Sequence, residues 1–293
     1  MYYIKLKYIK LKYIKFIKSI KRGEITMKKI LALVLSTLVV GSVFIGCGKG
    51  DNKKDVSVLQ KIKSEKVIKV GLEDTYPPME FRNDKNELVG FDIDLSNEIA
   101  KRLGVKVEYV MTEFGGLMMS LNSNKIDMSA SAISMTDKRK KEAEFTKPYV
   151  NSGQALVVKK GNTTIKDEKD LNGKTVGVQL GTTGEISAKK IKGVKQVKAY
   201  DKTPQVFQDL EIGRIDAIVI DEFVGKYYLS KQKDKAEVVK SLEHEPIGIA
   251  FKKGETELQG EVQKIIDEMV KDGTMKKISE RWFGEDMTYK DMK

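Results

Sequence analysis

The sequence predicts an α/β fold made of two three-layer lobes joined by two crossover strands. Three observations predict it. Short β-branched strands alternate with amphipathic helices over most of the chain, the pattern of a sheet covered by helices on both faces. The run Leu121-Asn-Ser-Asn-Lys-Ile-Asp-Met128 recurs as Leu210-Glu-Ile-Gly-Arg-Ile-Asp-Ala217, in each case a helix end, a polar turn and a strand start. Two extended apolar stretches, Tyr149 to Lys159 and Ile247 to Lys252, bracket the second copy and read as the crossings. A chain of 293 residues has room for two such units.

The net charge of +12 raises the question of a nucleic-acid partner, and its distribution answers it. Residues 1–26 carry +7 and Lys28 and Lys29 add two, leaving only +3 for residues 47–293. A body so near neutrality offers no broad basic footprint for phosphate backbones, so no nucleic acid is expected. Forty per cent apolar and 33% charged residues are a soluble globular balance.

From Met27 the chain reads MKKILALVLSTLVVGSVFIGC, with two lysines, an apolar run from Ile30 to Ile45, a small residue and then Cys47. This is the n-region, h-region and cleavage site of a secretory signal, and the run is short for a membrane span. Cys47 is the one cysteine of the sequence, so it has no internal disulfide partner. Phe44-Ile45-Gly46-Cys47 resembles a bacterial lipobox, with Phe where Leu is usual, which implies lipidation of Cys47 and an anchor on the outer face of the membrane. Residues 27–46 are then signal peptide and 47–58 a tether. Residues 1–26 repeat Tyr-Ile-Lys and Leu-Lys and fit neither a signal nor a domain. Translation is expected to begin at Met27, with a basic amphipathic helix on a membrane as the alternative.

Beyond the tether, Lys66 to Gly71 reads as a buried strand, and Ile93, Leu95, Ile99, Ala100 and Leu103 mark a helix stopped at Gly104. Val105 to Val110 returns to strand. In the second half, Val176 to Val178, Val194 to Tyr200 and Ala217 to Ile220 read as strands. Ile186 to Ile191 and Thr203 to Ile212 read as helices, and two more helices break at Asp272-Gly273-Thr274. Lobe 1 is expected to comprise 59–150 and 248–293, and lobe 2 to comprise 151–247. Asn151-Ser152-Gly153 and Pro246-Ile247-Gly248 supply the conformational tolerance a hinge needs.

The segments GLEDTYPPMEF from Gly71, GFDIDL from Gly90, SMTDKR from Ser134, the turn Gly181-Thr182-Thr183-Gly184 and GRIDA from Gly213 stand in one order. That order resembles the polar amino-acid binding proteins of ABC importers, bacterial extracellular solute-binding proteins of family 3. The resemblance spans about Val58 to Gly284 and implies a type II periplasmic-binding-protein-like fold, a free amino acid as ligand, and importer permease subunits as partners. It also implies a monomer without cofactor or metal.

A zwitterionic ligand needs a carboxylate clamp and an ammonium acceptor, and arginine's planar fork suits the first. By resemblance Arg139 is that clamp, assisted by Ser134 and by the turn at Thr182 and Thr183. Charge pattern alone would leave Arg139 a solvated member of Lys138 to Lys141. Asp221, directly after a buried strand, matches the ammonium acceptor, or else caps the following helix. Ser131 and Ala132 belong to the strand-ending run beside Ser134. Tyr76 and Phe114 resemble the aromatic walls around the ligand side chain, and Glu73 an acid facing that side chain. Glu73 favours arginine or lysine, with cystine and glutamine next. The rivals are an enzyme of the same fold, such as a dehydratase, and a ligand-sensing module. The one histidine, His244, lies in a charged stretch and reads as solvated rather than catalytic.

Overall fold

The computed structural model describes residues 56–231 and 235–289; the leader, signal and Cys47 readings lie outside them. The first helix among the described residues, α1 (Val58–Glu65), corrects the tether boundary, because Val58 already begins it. Ser57 accepts a hydrogen bond from Gln60 N at 3.2 Å, and Leu59 and Ile62, three residues apart, turn into the core.

Lobe 1 continues through β1 (Val67–Leu72), β2 (Thr75–Tyr76), β3 (Glu80–Arg82), β4 (Leu88–Val89), α2 (Phe91–Leu103) and β5 (Lys106–Met111). It runs on through α3 (Leu117–Asn122), β6 (Met128–Ser129), α4 (Asp137–Glu142) and β7 (Ala143–Phe145). The chain crosses along β8 (Val150–Lys159) into β9 (Thr175–Gln179), α5 (Thr183–Lys190), β10 (Gln196–Tyr200), α6 (Thr203–Glu211), β11 (Ala217–Asp221) and α7 (Glu222–Lys231). It returns along β12 (Ala236–Ile247) to β13 (Ala250–Lys252), α8 (Thr256–Lys271) and α9 (Thr274–Phe283).

Among the described residues two five-stranded sheets result, ordered β5-β1-β6-β13-β7 and β10-β9-β11-β8-β12, with β2-β3-β4 as a small third sheet. In the first, β1 is parallel to β5 and β6; in the second, β9 is parallel to β10 and β11. The strands that return from a crossing, β13 and β8, run antiparallel to their neighbours. Every residue of β11 is buried, as a strand covered on both faces requires.

The recurring Ile-Asp pair has one physical job in both lobes. Asp127 Oδ2 accepts Lys69 N at 2.7 Å and Asp216 Oδ2 accepts Thr175 N at 2.8 Å, so each carboxylate pins the start of the neighbouring parallel strand. The adjoining Ile126 and Ile215 press on Gly71 and Gly177, where an added Cβ would lie 2.2 and 2.4 Å from their Cδ1 atoms. Only glycine allows that approach.

The two crossings pair with each other. β12 runs antiparallel to β8 up to Ile247 opposite Val150, with a register shift between Ser241 and His244. Reading 247–252 as one strand is incorrect. Gly248 N turns to Ile133 O at 3.1 Å, and the chain changes partners from β8 to β6 across Gly248 and Ile249. The helix read from Ile186 begins at Thr183, because Thr182 Oγ1 caps Glu185 N at 3.3 Å.

Candidate functional site

Parallel sheets place ligands at the carboxyl ends of their strands. Here four strand ends converge. Glu73 follows β1, the loop Ala130 to Met135 follows β6, Gln179 ends β9, and Asp221 ends β11. The first two belong to one lobe and the last two to the other.

Hydrogen bonds join them across the cleft. Tyr76 Oη donates to Asp221 Oδ2 at 2.6 Å, and Gln154 Nε2 donates to Asp221 Oδ1. Gln154 also donates to Thr183 Oγ1 at 3.2 Å, and Thr183 Oγ1 lies 3.2 Å from Ser134 Oγ. Arg139 donates to Ser134 O and to Gly181 O, both at 2.9 Å, the second in the opposite lobe. A continuous polar chain therefore runs from the guanidinium to the carboxylate. Phe114 supplies a wall, with Arg139 Cζ 5.2 Å from its ring centroid.

At the other end of the cleft Gln179 Nε2 donates to Glu73 Oε2 at 2.7 Å and Thr203 Oγ1 donates to Gln179 Oε1 at 3.0 Å. Ser131 Oγ accepts Glu73 N at 3.3 Å. A recess of about 110 Å³ opens beside Glu73, lined by Asp74, Thr75, Met111, Glu113 and Lys202. Lys202 and Glu113 face each other across its mouth at 3.8 Å.

The electrostatics follow from burial. Asp221 is raised to about 7 by desolvation, against the donors Tyr76 and Gln154 and the charge of Arg139. Glu73 is raised to about 7 by the same cause, against Gln179 and Thr75. Burial also pushes the Arg139 guanidinium below its ordinary value, with Glu245 and Asp221 opposing. Buried charges are tolerable only when paired, so a site with a cation at one end and acids at the other calls for a ligand of complementary polarity.

Of the residues singled out in the sequence, Glu73, Tyr76, Ser131, Ser134, Arg139, Thr183 and Asp221 meet in this network, and Phe114 lies against Arg139. Ala132 contributes backbone, held at φ +45°. Thr182 turns away, its hydroxyl donating to Gln179 O at 2.8 Å within its own turn. Sequence reasoning missed Gln154 and Gln179. Gln154 is a lone amide in the apolar run of β8, and Gln179 closes a strand before a glycine turn, so both left a legible signal. His244 is exposed on β12. It borders a cavity of about 830 Å³, which lies beside the crossings rather than in the cleft and is also lined by Ser152, Phe223, Trp282 and Tyr289.

These features define a two-lobe α/β binding protein whose cleft groups come from both lobes. The chain belongs to the bacterial extracellular solute-binding proteins, family 3, whose model matches residues 68–285. It is similar to the L-cystine-binding protein of Escherichia coli K12, 40% identical over 237 residues, 80% of this chain and 89% of that protein. Among solved structures it is similar to an ancestral arginine-binding protein bound to arginine, with TM-score 0.72 and 46% identity over 74% of this chain and 98% of that one. It is also similar to an ancestral amino acid-binding protein that is a precursor of cyclohexadienyl dehydratase, with TM-score 0.74 and 38% identity over 78% of this chain and all of that one.

Proposed function

We propose that this protein captures a free polar amino acid between its lobes and presents it, in the closed form, to the permease subunits of an ABC importer. The observation that carries this reading is the placement of Arg139 and Asp221 at opposite ends of one interlobe hydrogen-bond chain. A guanidinium suits an α-carboxylate, an aspartate beside Tyr76 and Gln154 suits an α-ammonium, and an amino acid offers both within a few ångströms. Such a ligand touches both halves of the site, so binding favours closure about the paired crossings.

Glu73 and the acid-lined recess beyond it favour a ligand whose side chain is long and cationic. Arginine or lysine fits best, then cystine and glutamine. The similar ancestral protein bound to arginine and the similar cystine-binding protein support that range. A thermal-shift screen of the twenty amino acids with cystine and ornithine tests the assignment, because tight ligands raise the melting temperature by mass action. Arginine, lysine or cystine is expected to give the largest rise, and no shift with any of them would overturn the reading.

We read the cleft as binding rather than catalytic, since the similar precursor of a dehydratase is itself described as amino acid-binding. Ligand recovered chemically unchanged after prolonged incubation and denaturation is the expected outcome; a dehydrated product would favour the enzyme. The membrane is reached through lipid on Cys47, and acyl-labelled protein that a Cys47→Ser substitution releases is the corresponding test. Among the described residues no helix is long and apolar enough to cross a membrane.

A further inference from the structure

Two further carboxyl groups lie behind the cleft wall of lobe 1. Glu80 on β3 and Asp92 on α2 are fully buried, and neither has a salt-bridge partner among the described residues. Gly90 forces them together. At φ +143° its missing side chain lets Met79 O pass where a Cβ would stand 2.1 Å away, and Phe91 N and Asp92 N then bond Pro78 O and Met79 O at 2.9 Å.

Each acid holds a different part of the cleft wall. Glu80 Oε1 accepts Ser131 Oγ at 2.6 Å, and the same Ser131 oxygen accepts Glu73 N at 3.3 Å. Asp92 Oδ2 accepts Ala132 N at 2.8 Å, and its Oδ1 accepts Tyr149 Oη at 2.7 Å, immediately before the first crossing. No donor reaches Glu80 Oε2, and the backbone bonds around Gly90, with β3 packed on α2, hold the Glu80 and Asp92 carboxyl groups close enough to act on one another. One proton would satisfy both: carried by Glu80, it would donate to Asp92. Burial next to Asp92 and Glu73 pushes the Glu80 carboxyl well up, in keeping with that assignment, while Asp92, with donors from Tyr149 and Ala132, rises only to about 6.

We infer that Glu80 and Asp92 form a proton-sharing pair that positions the ligand-facing wall of lobe 1, Glu73 through Ser131 and the strained Ala132 turn through its N–H, and thereby sets side-chain preference. Neither acid touches the ligand, so both are positioning residues. The inference rests on the amino-acid-binding reading for its effect on preference, and one of its readouts does not.

The test compares Glu80→Gln with Glu80→Met. An amide replaces the shared proton, since it donates to Asp92 while its oxygen still accepts from Ser131; a thioether does neither. Glu80→Gln is expected to bind arginine, cystine and glutamine within about threefold of the parent and in the same ranking. Glu80→Met is expected to lower the arginine-to-glutamine affinity ratio at least fivefold. Should Glu80→Met fold poorly, Ser131→Ala cuts the same link and is expected to shift the ratio in the same direction. Amide exchange without ligand gives the independent readout, with Glu73 N–H and Ala132 N–H losing protection in Glu80→Met and keeping it in Glu80→Gln. Equal damage by both Glu80 variants, or an unchanged ratio with unchanged amide protection in Glu80→Met, would overturn the pair's role. Failure of the parent to bind any amino acid would refute the functional reading, while the exchange result would still decide the positioning.

Discussion

Tyr76 Oη lies 2.6 Å from Asp221 Oδ2, and that single bond ties the small sheet of lobe 1 to the end of the most deeply buried strand of lobe 2. In the proposed site it would stabilise closure and prepare the carboxylate offered to the ligand's ammonium group. Removing a hydrogen bond to a buried charged group costs about 1.5–3 kcal/mol. Tyr76→Phe is therefore expected to weaken every ligand by roughly ten- to a hundredfold on that scale, without changing their order. Calorimetric titration with three amino acids checks it; a change confined to one ligand would place Tyr76 in side-chain recognition instead.

Arg139 is expected to be irreplaceable even by lysine. It reaches Ser134 O and Gly181 O together, which needs the forked guanidinium, and a lysine ammonium cannot hold both while clamping a carboxylate. Arg139→Lys and Arg139→Ala should both reduce affinity by more than a hundredfold, an estimate set by a lost charge-assisted pair. Retention of tight binding by the lysine variant, measured by equilibrium dialysis, would remove Arg139 from the clamp.

Affinity for a cationic ligand should fall as pH drops below about 7. Glu73 and Asp221 are both raised to about 7 by burial, so the free cleft takes up protons below that pH. Ammonium and guanidinium groups bind the ionised forms, and protonation must be reversed before they enter. The dissociation constant should therefore rise by up to tenfold per pH unit for each acid the ligand engages. The opposite sign governs stability of the ligand-free protein. These acids bind protons more tightly folded than unfolded, so their contribution is present in acid and lost as pH rises through about 7. A binding constant flat between pH 5 and 8 would exclude both acids from ligand contact.

An aromatic seam away from the polar cleft also spans the lobes. Phe81 meets Tyr227 at 5.4 Å between centroids and Trp282 at 5.9 Å, while Phe223 meets Phe283 at 6.0 Å. Phe81 and Trp282 both belong to lobe 1, so opening separates Phe81 from Tyr227 and Phe223 from Phe283, and each of these contacts contributes about 0.5–1.5 kcal/mol beyond its buried area. Tyr227→Ala should accordingly weaken all ligands by a similar two- to tenfold factor on that energy scale. Trp282, the one tryptophan in the sequence, should change its emission on ligand addition in the parent. An emission unaffected by saturating ligand would show that the seam does not move.

Glu73→Gln should retain neutral ligands and lose preference for cationic ones, because an amide replaces the charge while keeping the contact with Gln179. Competition between arginine and glutamine measures this directly. Equal loss of both would make Glu73 structural.

Much of the fold was legible because periodicity and turn chemistry are local. The helix of α2 and its Gly104 stop, the break at Gly273 and the buried β11 follow from side-chain spacing and from glycine's access to positive φ. The Ile-Asp repeat was visible as a pattern, though its purpose, pinning the neighbouring strand, became apparent only once Asp127 met Lys69 and Asp216 met Thr175. Element ends were less legible: α1 starts inside the supposed tether because Leu59 and Ile62 find a core that local composition does not display.

The sequence by itself determined which residues have the chemistry to hold a zwitterion, and the order of motifs that marks the family. Tertiary structure alone decided how they combine. It assigned Gln154 and Gln179 to the cleft, turned the Thr182 hydroxyl away from it, and brought Glu80 beside Asp92. Those outcomes depend on contacts between groups as far apart in the chain as Tyr76 and Asp221, and on burial that raises a carboxyl by removing its water. Neither quantity is a property of any short stretch of chain.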